Sequence, residues 1–163
     1  MPVSAAAIPF QRFFEEQAPS VARFLTGMLG HHDAEECLQE TFIAALGAYD
    51  RFDGRYPRAW VLAIARRKAI DAHRARGRRP RPSAEAELAE APAPDSGPLS
   101  GEIWAEVAAL PGKQRAALVL RFALDMPHRE IGAALDCSEA AARRNVHEGI
   151  VKLRSSRNEE VAR

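Results

Sequence analysis

The chain has 163 residues, a mass of 17.9 kDa and a formal net charge of +1. This length allows one domain or two small ones, and the 47% of hydrophobic residues can form a packed core. The sequence lacks a membrane-spanning apolar run, a signal-peptide pattern and closely spaced cysteines, which predicts no membrane insertion, no disulfide scaffold and a cytoplasmic location.

The small net charge hides a strong segregation of charge along the chain. Residues 1–50 hold seven acids and two bases, whereas residues 51–82 hold eleven bases and two acids. Residues 83–102 hold five acids and no base. Such segregation is typical of a chain that meets charged partners.

The first part of the chain has the periodicity of three helices. Residues 10–29 place apolar side chains at helical spacing, and Pro19 is expected to kink or break this helix. Asp33 is a plausible N-cap of the second helix, and Glu36 completes something close to a capping box. The i, i+4, i+8 series on this helix predicts an inward face: Ala34, Leu38, Phe42, Ala45, Leu46 and Tyr49.

A loop at residues 50–57 separates the second helix from a basic third helix at about 58–76. In and beside this loop, aromatic residues alternate with arginines, a pattern that suits stacking on exposed bases of single-stranded nucleic acid. The aromatic residues are Phe52, Tyr56 and Trp60, and the bases of the loop and helix include Arg55, Arg66, Arg67, Lys68 and Arg74. The alternatives are a solvated charged face and, for Trp60, a place in the core.

Residues 77–101 differ in composition from the rest of the chain. They contain five of the eleven prolines and no aromatic residue, so they cannot bury enough apolar area to offset the entropy of ordering. We interpret this segment as a flexible, Pro-rich linker between two helical domains at residues 8–76 and 102–157.

The second domain contains the most specific local signal. A short helix at 102–110 and another at 112–124, with Phe122 inward, precede a helix that opens at Pro127. A turn at residues 136–138 and a longer helix from Glu139 follow, and Ser138 is a good N-cap. This arrangement predicts a helix-turn-helix, in which the second helix enters a DNA major groove. An ordinary helical hairpin with a solvated basic face is the alternative.

Other chemistry finds little support in the sequence. The histidines lack metal-ligand spacing, and no nucleophile–base pair or phosphate-binding loop is present, so we predict no catalytic residue, no metal and no cofactor. On the acidic second helix, Glu36, Gln39 and Glu40 share a surface beside Ile43. This surface is either a solvated face or a docking site for a basic helical partner.

Taken together, four blocks in this order resemble the bacterial sigma factors of the extracytoplasmic-function (ECF) type. The blocks are DAEECLQETF at 33–42, WVLAIARRKAID at 60–71, LPGKQRAALVLR at 110–121 and HREIGAALDCS at 128–138. The resemblance implies an all-α protein with two small helical domains, sigma region 2 and sigma region 4, the latter containing the helix-turn-helix. It also implies a non-enzymatic function: binding core RNA polymerase, directing it to promoters and helping to melt DNA.

The resemblance assigns roles to residues of this chain. The acidic face (Glu36, Gln39, Glu40 and Ile43) would bind the β′ clamp of the polymerase, and region 4 would meet the β flap. The residues expected to read and open the minus-ten element are Phe52, Arg55, Tyr56, Trp60, Arg66, Arg67, Lys68 and Arg74. Those expected to read the minus-thirty-five element are Ala141, Arg143, Arg144, Asn145 and His147.

Two further expectations come from the resemblance. The last helix begins Ala140-Ala141-Ala142-Arg143-Arg144-Asn145, where the family commonly has a Gly-Thr-Val-Lys-Ser-Arg-like stretch, so the preferred minus-thirty-five sequence is open. No long C-terminal extension follows, which argues against a built-in regulatory domain. The resemblance then implies a separate anti-sigma factor, which is the family's usual regulator. The rival interpretations are a stand-alone helix-turn-helix regulator that binds duplex DNA as a dimer, and a hydrolase or transferase on a helical scaffold.

Overall fold

The computed structural model describes residues 8–77, 99 and 101–163 of the chain. These residues form helices and contain no β-strand, which confirms the all-α prediction. The helices are α1 (Phe10–Leu29), α2 (His31–Ala48), α3 (Pro57–Gly77), α4 (Glu102–Ala108), α5 (Gly112–Leu118), α6 (His128–Leu135) and α7 (Glu139–Val161). Most of the predicted linker lies outside the described residues. Within them, no helix is both long and apolar enough to cross a membrane.

Pro19 does not break the first helix, since it lies inside α1. The junction of α1 and α2 corrects another expectation. Asp33 does not cap α2, because the helix begins at His31 directly after Gly30. Gly30 has a φ of 81° and is both the C-cap of α1 and the N-cap of α2. The chain therefore turns from one helix into the next within a single residue, which needs the freedom of glycine.

The first three helices pack around one apolar core. Phe13, Phe24 and Leu25 of α1 are almost completely buried, as are Ala45 of α2 and Leu62 of α3. The prediction that Leu46 faces inward is wrong, since its side chain is 57% exposed. It follows Ala45 by about 100° around the helix, which carries it past the edge of the buried face.

The remaining helices form a second bundle, with one departure from the regular helix predicted over residues 112–124. The chain leaves α5 in a π-helical turn, Val119–Ala123, closed by a hydrogen bond of 3.2 Å from Leu124 N to Val119 O. A π turn inserts an extra residue and shifts the register of the faces. Phe122, predicted to face inward, is therefore 59% exposed.

The helix-turn-helix consists of α6, the turn after it and α7. Ser138 is the N-cap of α7, as predicted, and its Oγ accepts a hydrogen bond of 3.0 Å from Ala141 N. Asp136 ends α6 in the left-handed region with a φ of 54°. A Cβ on Gly132 would lie 2.7 Å from the carbonyl oxygen of Cys137, so the turn passes too close for any other residue type without a shift.

The two bundles pack directly on each other. A Cβ on Gly27 of α1 would lie 3.0 and 3.1 Å from the two methyl carbons of Val119 in the second bundle. Beside this contact, the fully buried Arg115 of α5 donates from Nε to Gly27 O at 2.9 Å and from Nη1 to Ala108 O at 3.0 Å. Burial lowers the pKa of Arg115 to about 10, so the guanidinium remains charged at neutral pH. One buried cation thus joins the two bundles.

Candidate nucleic-acid and polymerase interfaces

The acidic face of α2 is exposed along its length. Glu36, Gln39, Glu40 and Ile43 all point to solvent, and the side chain of Ile43 is 71% exposed. Leu46 extends this surface by one helical turn. An apolar strip flanked by carboxylates matches an amphipathic partner with basic residues along its edges.

The opposite face of α2 is anchored in the core. Thr41 is buried, and its Oγ1 donates a hydrogen bond of 2.7 Å to the carbonyl oxygen of Cys37 one turn before it. Burial, with a further contribution from Glu40, raises the pKa of the Cys37 thiol to about 12. The thiol is therefore protonated and unreactive at neutral pH.

An acidic cleft of about 380 Å³ lies between α2 and α3 beside the acidic face. Its lining includes Asp33, Glu36, Glu40 and Asp71. No group of His, Cys, Asp or Glu side chains in the described part of the chain has an arrangement that could hold a metal ion.

The loop between α2 and α3 presents one aromatic ring and buries another. Tyr56 is 40% exposed and has a φ of 47°, a backbone region that non-glycine residues rarely adopt. Arg55 is exposed beside it, and Arg55 N donates to Asp53 Oδ1 at 2.8 Å, which fixes the loop. Backbone strain held in place by its surroundings is typical of binding sites.

Phe52 and Trp60 lie behind this loop rather than on it. Phe52 is buried, and its ring stacks on that of Trp60 with centroids 4.5 Å apart. Trp60 also contacts Phe13 edge-on at 5.7 Å, and its side chain is half-buried. The structure therefore separates the three predicted aromatic residues: Tyr56 is exposed, while Phe52 and Trp60 stack on each other and pack into the core.

The bases predicted on α3 do not share one environment. Arg67 and Arg74 are exposed, whereas Arg66 and Lys68 are half-buried. Lys68 lies close enough to Cys37 to act on the pKa of its thiol, which places it toward α2 and the acidic cleft. Of these four bases, Arg67 and Arg74 are thus the more accessible to a phosphate backbone.

The first turns of α7 carry the predicted recognition residues. Arg143, Arg144 and His147 are exposed, while Ala141 and Asn145 are half-buried. Ala142 and Val146 are buried against the rest of the bundle and fix the orientation of this face. Arg143 Nη2 lies 3.3 Å from Glu139 Oε1, an exposed pair that a phosphate or a base edge can replace.

Comparisons with known proteins place both halves of the chain in one family. The Sigma-70 region 2 model matches residues 13–79, and the Sigma-70, region 4 model matches residues 100–153. The ECF RNA polymerase sigma factor ShbA of Streptomyces griseus is 36% identical over 136 residues, or 76% of this chain and 71% of the relative. This chain belongs to the ECF RNA polymerase sigma factors.

Two solved structures share the fold of this sigma factor. The sigma factor RpoE of Bartonella quintana, crystallised with the anti-sigma factor NepR, matches with a TM-score of 0.71 at 21% identity, covering 90% of this chain and 94% of that one. CnrH, in complex with the cytosolic domain of CnrY, matches with a TM-score of 0.68 at 24% identity, covering 96% and 93%. Membership of the family establishes that the protein directs RNA polymerase to promoters, so a stand-alone regulator is not favoured.

The second bundle of this sigma factor carries an apolar groove that the sequence did not predict. The groove has a volume of about 400 Å³ between α4, α5 and α7, and its rim includes Ile103 and Phe122, both largely exposed. Periodicity alone assigned Phe122 to the core, because an exposed apolar side chain and a buried one give the same sequence pattern. The π turn beside α5 is what exposes Phe122.

Contacts between the two bundles of the sigma factor also went unpredicted. Arg58 of α3 donates from Nη1 to Leu124 O at 3.1 Å, and its Nη2 lies 3.5 Å from Glu130 Oε2 of α6. Arg23 of α1 donates from Nη1 to Ala123 O at 3.1 Å. The guanidinium carbon of Arg129 lies 5.4 Å from the centre of the Tyr56 ring, within range of a cation–π interaction. The acceptors of Arg23 and Arg58 lie 100 and 66 positions away in the sequence, so no local pattern could predict these contacts.

Proposed function

We propose that this sigma factor works through three separate surfaces, each with one task. The acidic face of α2 (Glu36, Gln39, Glu40 and Ile43) binds the β′ clamp of core polymerase. Its exposed Ile43 between carboxylates supports this assignment, since the pattern fits a partner that is both apolar and basic.

The loop before α3 opens and reads the minus-ten element. The observation that carries this part of the proposal is Tyr56, an exposed aromatic ring held in left-handed backbone at the start of a basic helix. Stacking on such a ring stabilises a base that has left the duplex. Arg55, Arg67 and Arg74 supply positive charge for the phosphates beside it, and Phe52 and Trp60 anchor the two ends of the loop in the core.

The start of α7 reads the minus-thirty-five element in the major groove. Arg143, Arg144 and His147 reach base edges and phosphates, and the half-buried Ala141 and Asn145 shape the surface between them. The Ser138 cap and the close turn at Gly132 support this assignment, because they fix the angle at which α7 leaves the turn.

The remaining assignments concern partners and place of action. The apolar groove between α4, α5 and α7 fits an apolar segment such as the β flap of the polymerase. An anti-sigma factor is a regulator of this chain, by analogy with the two complexes that share its fold. The protein is not an enzyme, and it works in the cytoplasm, where its DNA template lies.

Promoter opening in the assembled holoenzyme tests the role of Tyr56. We expect Tyr56→Ala to reduce permanganate reactivity of thymines at the minus-ten element about tenfold or more, because stacking contributes about 1–3 kcal/mol per base. Tyr56→Phe, which keeps the ring, is the matched control and should open the promoter normally. Normal opening by a folded Tyr56→Ala variant would contradict the assignment.

A further inference from the structure

The apolar groove on region 4 has the size and composition of a small-molecule site. Its volume of about 400 Å³ lies within the roughly 300–1,000 Å³ that is typical of ligand pockets. Seven apolar residues and two arginines line it. Two of the apolar side chains, Ile103 and Phe122, are 45% and 59% exposed, so the groove is open to solvent. A large exposed apolar patch of this kind is typical of a binding site.

The walls of the groove are held together in the free protein. A Cβ on Gly149 of α7 would lie 2.9 Å from Leu118 Cδ1 of α5, so these two helices pack as closely as a glycine allows. The third wall, α4, is tied to α7 by Arg157, whose Nε lies 3.2 Å from Glu106 Oε1. A groove that is already formed binds a ligand without the cost of ordering its walls.

Two arginines of α7 give the groove a positive end. Arg154 and Arg157 follow Ile150 along the helix, which places them about 6 and 10 Å further along its axis. Arg157 is paired with Glu106, whereas Arg154 forms no hydrogen bond or ion pair with any residue that the structure describes. Together these three side chains carry one net positive charge. An apolar groove that ends in one uncompensated cation is complementary to an apolar molecule with one negative charge.

We propose that this groove binds a small amphipathic anion that is free in solution: a single aliphatic chain with one terminal carboxylate. The chain lies along the apolar walls, and the carboxylate accepts hydrogen bonds from the guanidinium of Arg154. The regulatory consequence rests on the proposed function, which assigns the same groove to the β flap. A bound carboxylate then competes with core polymerase for region 4.

Binding of two carboxylates to the full chain tests the site. The probes are octanoate and decanoate, which are titrated into the free protein by isothermal calorimetry at neutral pH. We expect one molecule bound per chain and an affinity about 15-fold higher for decanoate, because it buries two more methylene groups. Absence of saturable binding of either probe would overturn the proposal.

Arg154→Gln tests the charged end of the groove. We expect it to weaken decanoate binding about tenfold, because it removes a charge-assisted hydrogen bond, and to leave binding of uncharged decanol unchanged. Lys152→Gln is the matched control, since Lys152 is exposed on the same helix but lines a different cleft. Equal losses of decanoate affinity in the two variants would overturn a carboxylate site at Arg154.

A second pair of variants tests the location of the site. Ile103 lies on the rim of the groove and Val151 on a different cleft, and both side chains are 45% exposed. We expect Ile103→Glu to abolish decanoate binding and Val151→Glu to leave it unchanged. A carboxylate in the first turn of α4 is compatible with the helix, and circular dichroism checks that both variants fold. Decanoate binding that survives Ile103→Glu in the folded protein would overturn the groove as the site.

Competition with core polymerase separates this proposal from the assignment of the groove to the β flap. At decanoate concentrations ten times its Kd, we expect the natural protein to bind core polymerase up to about tenfold more weakly. Arg154→Gln should need about tenfold more decanoate for the same loss. If decanoate binds the free chain as expected but leaves polymerase binding unchanged, the competition and the flap assignment fail while the ligand site stands. If decanoate does not bind the free chain, the ligand site fails and the flap assignment is unaffected.

Discussion

Glu40 is the exposed side chain of the acidic face whose effect on polymerase binding is simplest to isolate. It lies on the outer side of α2, one turn after Glu36 and beside the exposed Ile43. An exposed carboxylate at this position adds little to the stability of the fold. We therefore expect it to contribute to binding a partner of opposite charge.

We expect Glu40→Arg to weaken binding of core polymerase by at least about tenfold, since like charges facing each other cost several kcal/mol. Glu160→Arg is the matched control, because Glu160 is equally exposed but lies near the end of α7, on a different helix from the acidic face. Fluorescence anisotropy with labelled sigma factor measures both affinities. Similar losses in the two variants would argue against a localised docking surface.

Ser138 is a second residue whose contribution can be isolated. Its Oγ accepts from Ala141 N at 3.0 Å at the start of α7. We expect Ser138→Ala to lower the free energy of unfolding by about 1 kcal/mol, because it removes the N-cap. Urea denaturation followed by circular dichroism measures the change. Ser155→Ala, in an exposed middle turn of α7, should change stability by less than about 0.5 kcal/mol.

Among the elements, the turn between α6 and α7 depends most strictly on a glycine. A Cβ on Gly132 would meet the carbonyl oxygen of Cys137 at 2.7 Å, whereas a Cβ on Gly47 of α2 would meet nothing within 4 Å. We expect Gly132→Ala to destabilise the protein by about 1–3 kcal/mol through overpacking. Gly47→Ala should stabilise it by about 0.4–1 kcal/mol. Thermal denaturation of both variants checks the opposite signs, and equal signs would contradict the geometry of the turn.

The elements also show what the sequence could predict. The helix-turn-helix was predictable because each of its signals is local: Pro127 at the start of α6, Ser138 at the start of α7, and Ala142 and Val146 on its buried face. The start of α2 was harder to predict. The N-cap expected at Asp33 lost to Gly30, because ending α1 and starting α2 in one residue requires the φ of 81° that glycine provides.

Faces of helices were predictable only where the helix is regular. Phe122 was assigned to the core from an α-helical period, and the π turn at Val119–Ala123 moves it to the surface. In the candidate site, the aromatic loop was recognised as a group. Its division into an exposed Tyr56 and a buried Phe52 depends on packing against Phe13, which lies far away in the sequence.

On the scale of the whole molecule, the two regions are coupled through Arg115. No pattern near residue 115 predicts this, because the acceptor, Gly27 O, lies 88 positions earlier in the chain. A guanidinium buried without its carbonyl partners is strongly unfavourable. The two regions should therefore share one unfolding transition in the free protein.

Calorimetry of the free chain tests this coupling. We expect one transition for the natural protein and two for Arg115→Met, because the variant leaves Gly27 O and Ala108 O without their donor and uncouples the bundles. Arg154→Met, an exposed arginine on α7, is the control and should keep the single transition. Two transitions in the natural protein would show that the regions unfold independently.

The contacts made by Arg23 and Arg58 have a consequence for how this interface changes over generations. Both arginines donate to main-chain oxygens, those of Ala123 and Leu124, which exist whatever side chain occupies these positions. Substitutions at residues 123 and 124 that preserve the π turn and the packing of the core therefore leave the acceptors in place. Loss of the contact has to begin at the donors, so divergence between duplicated copies of this protein should first separate them at positions 23 and 58.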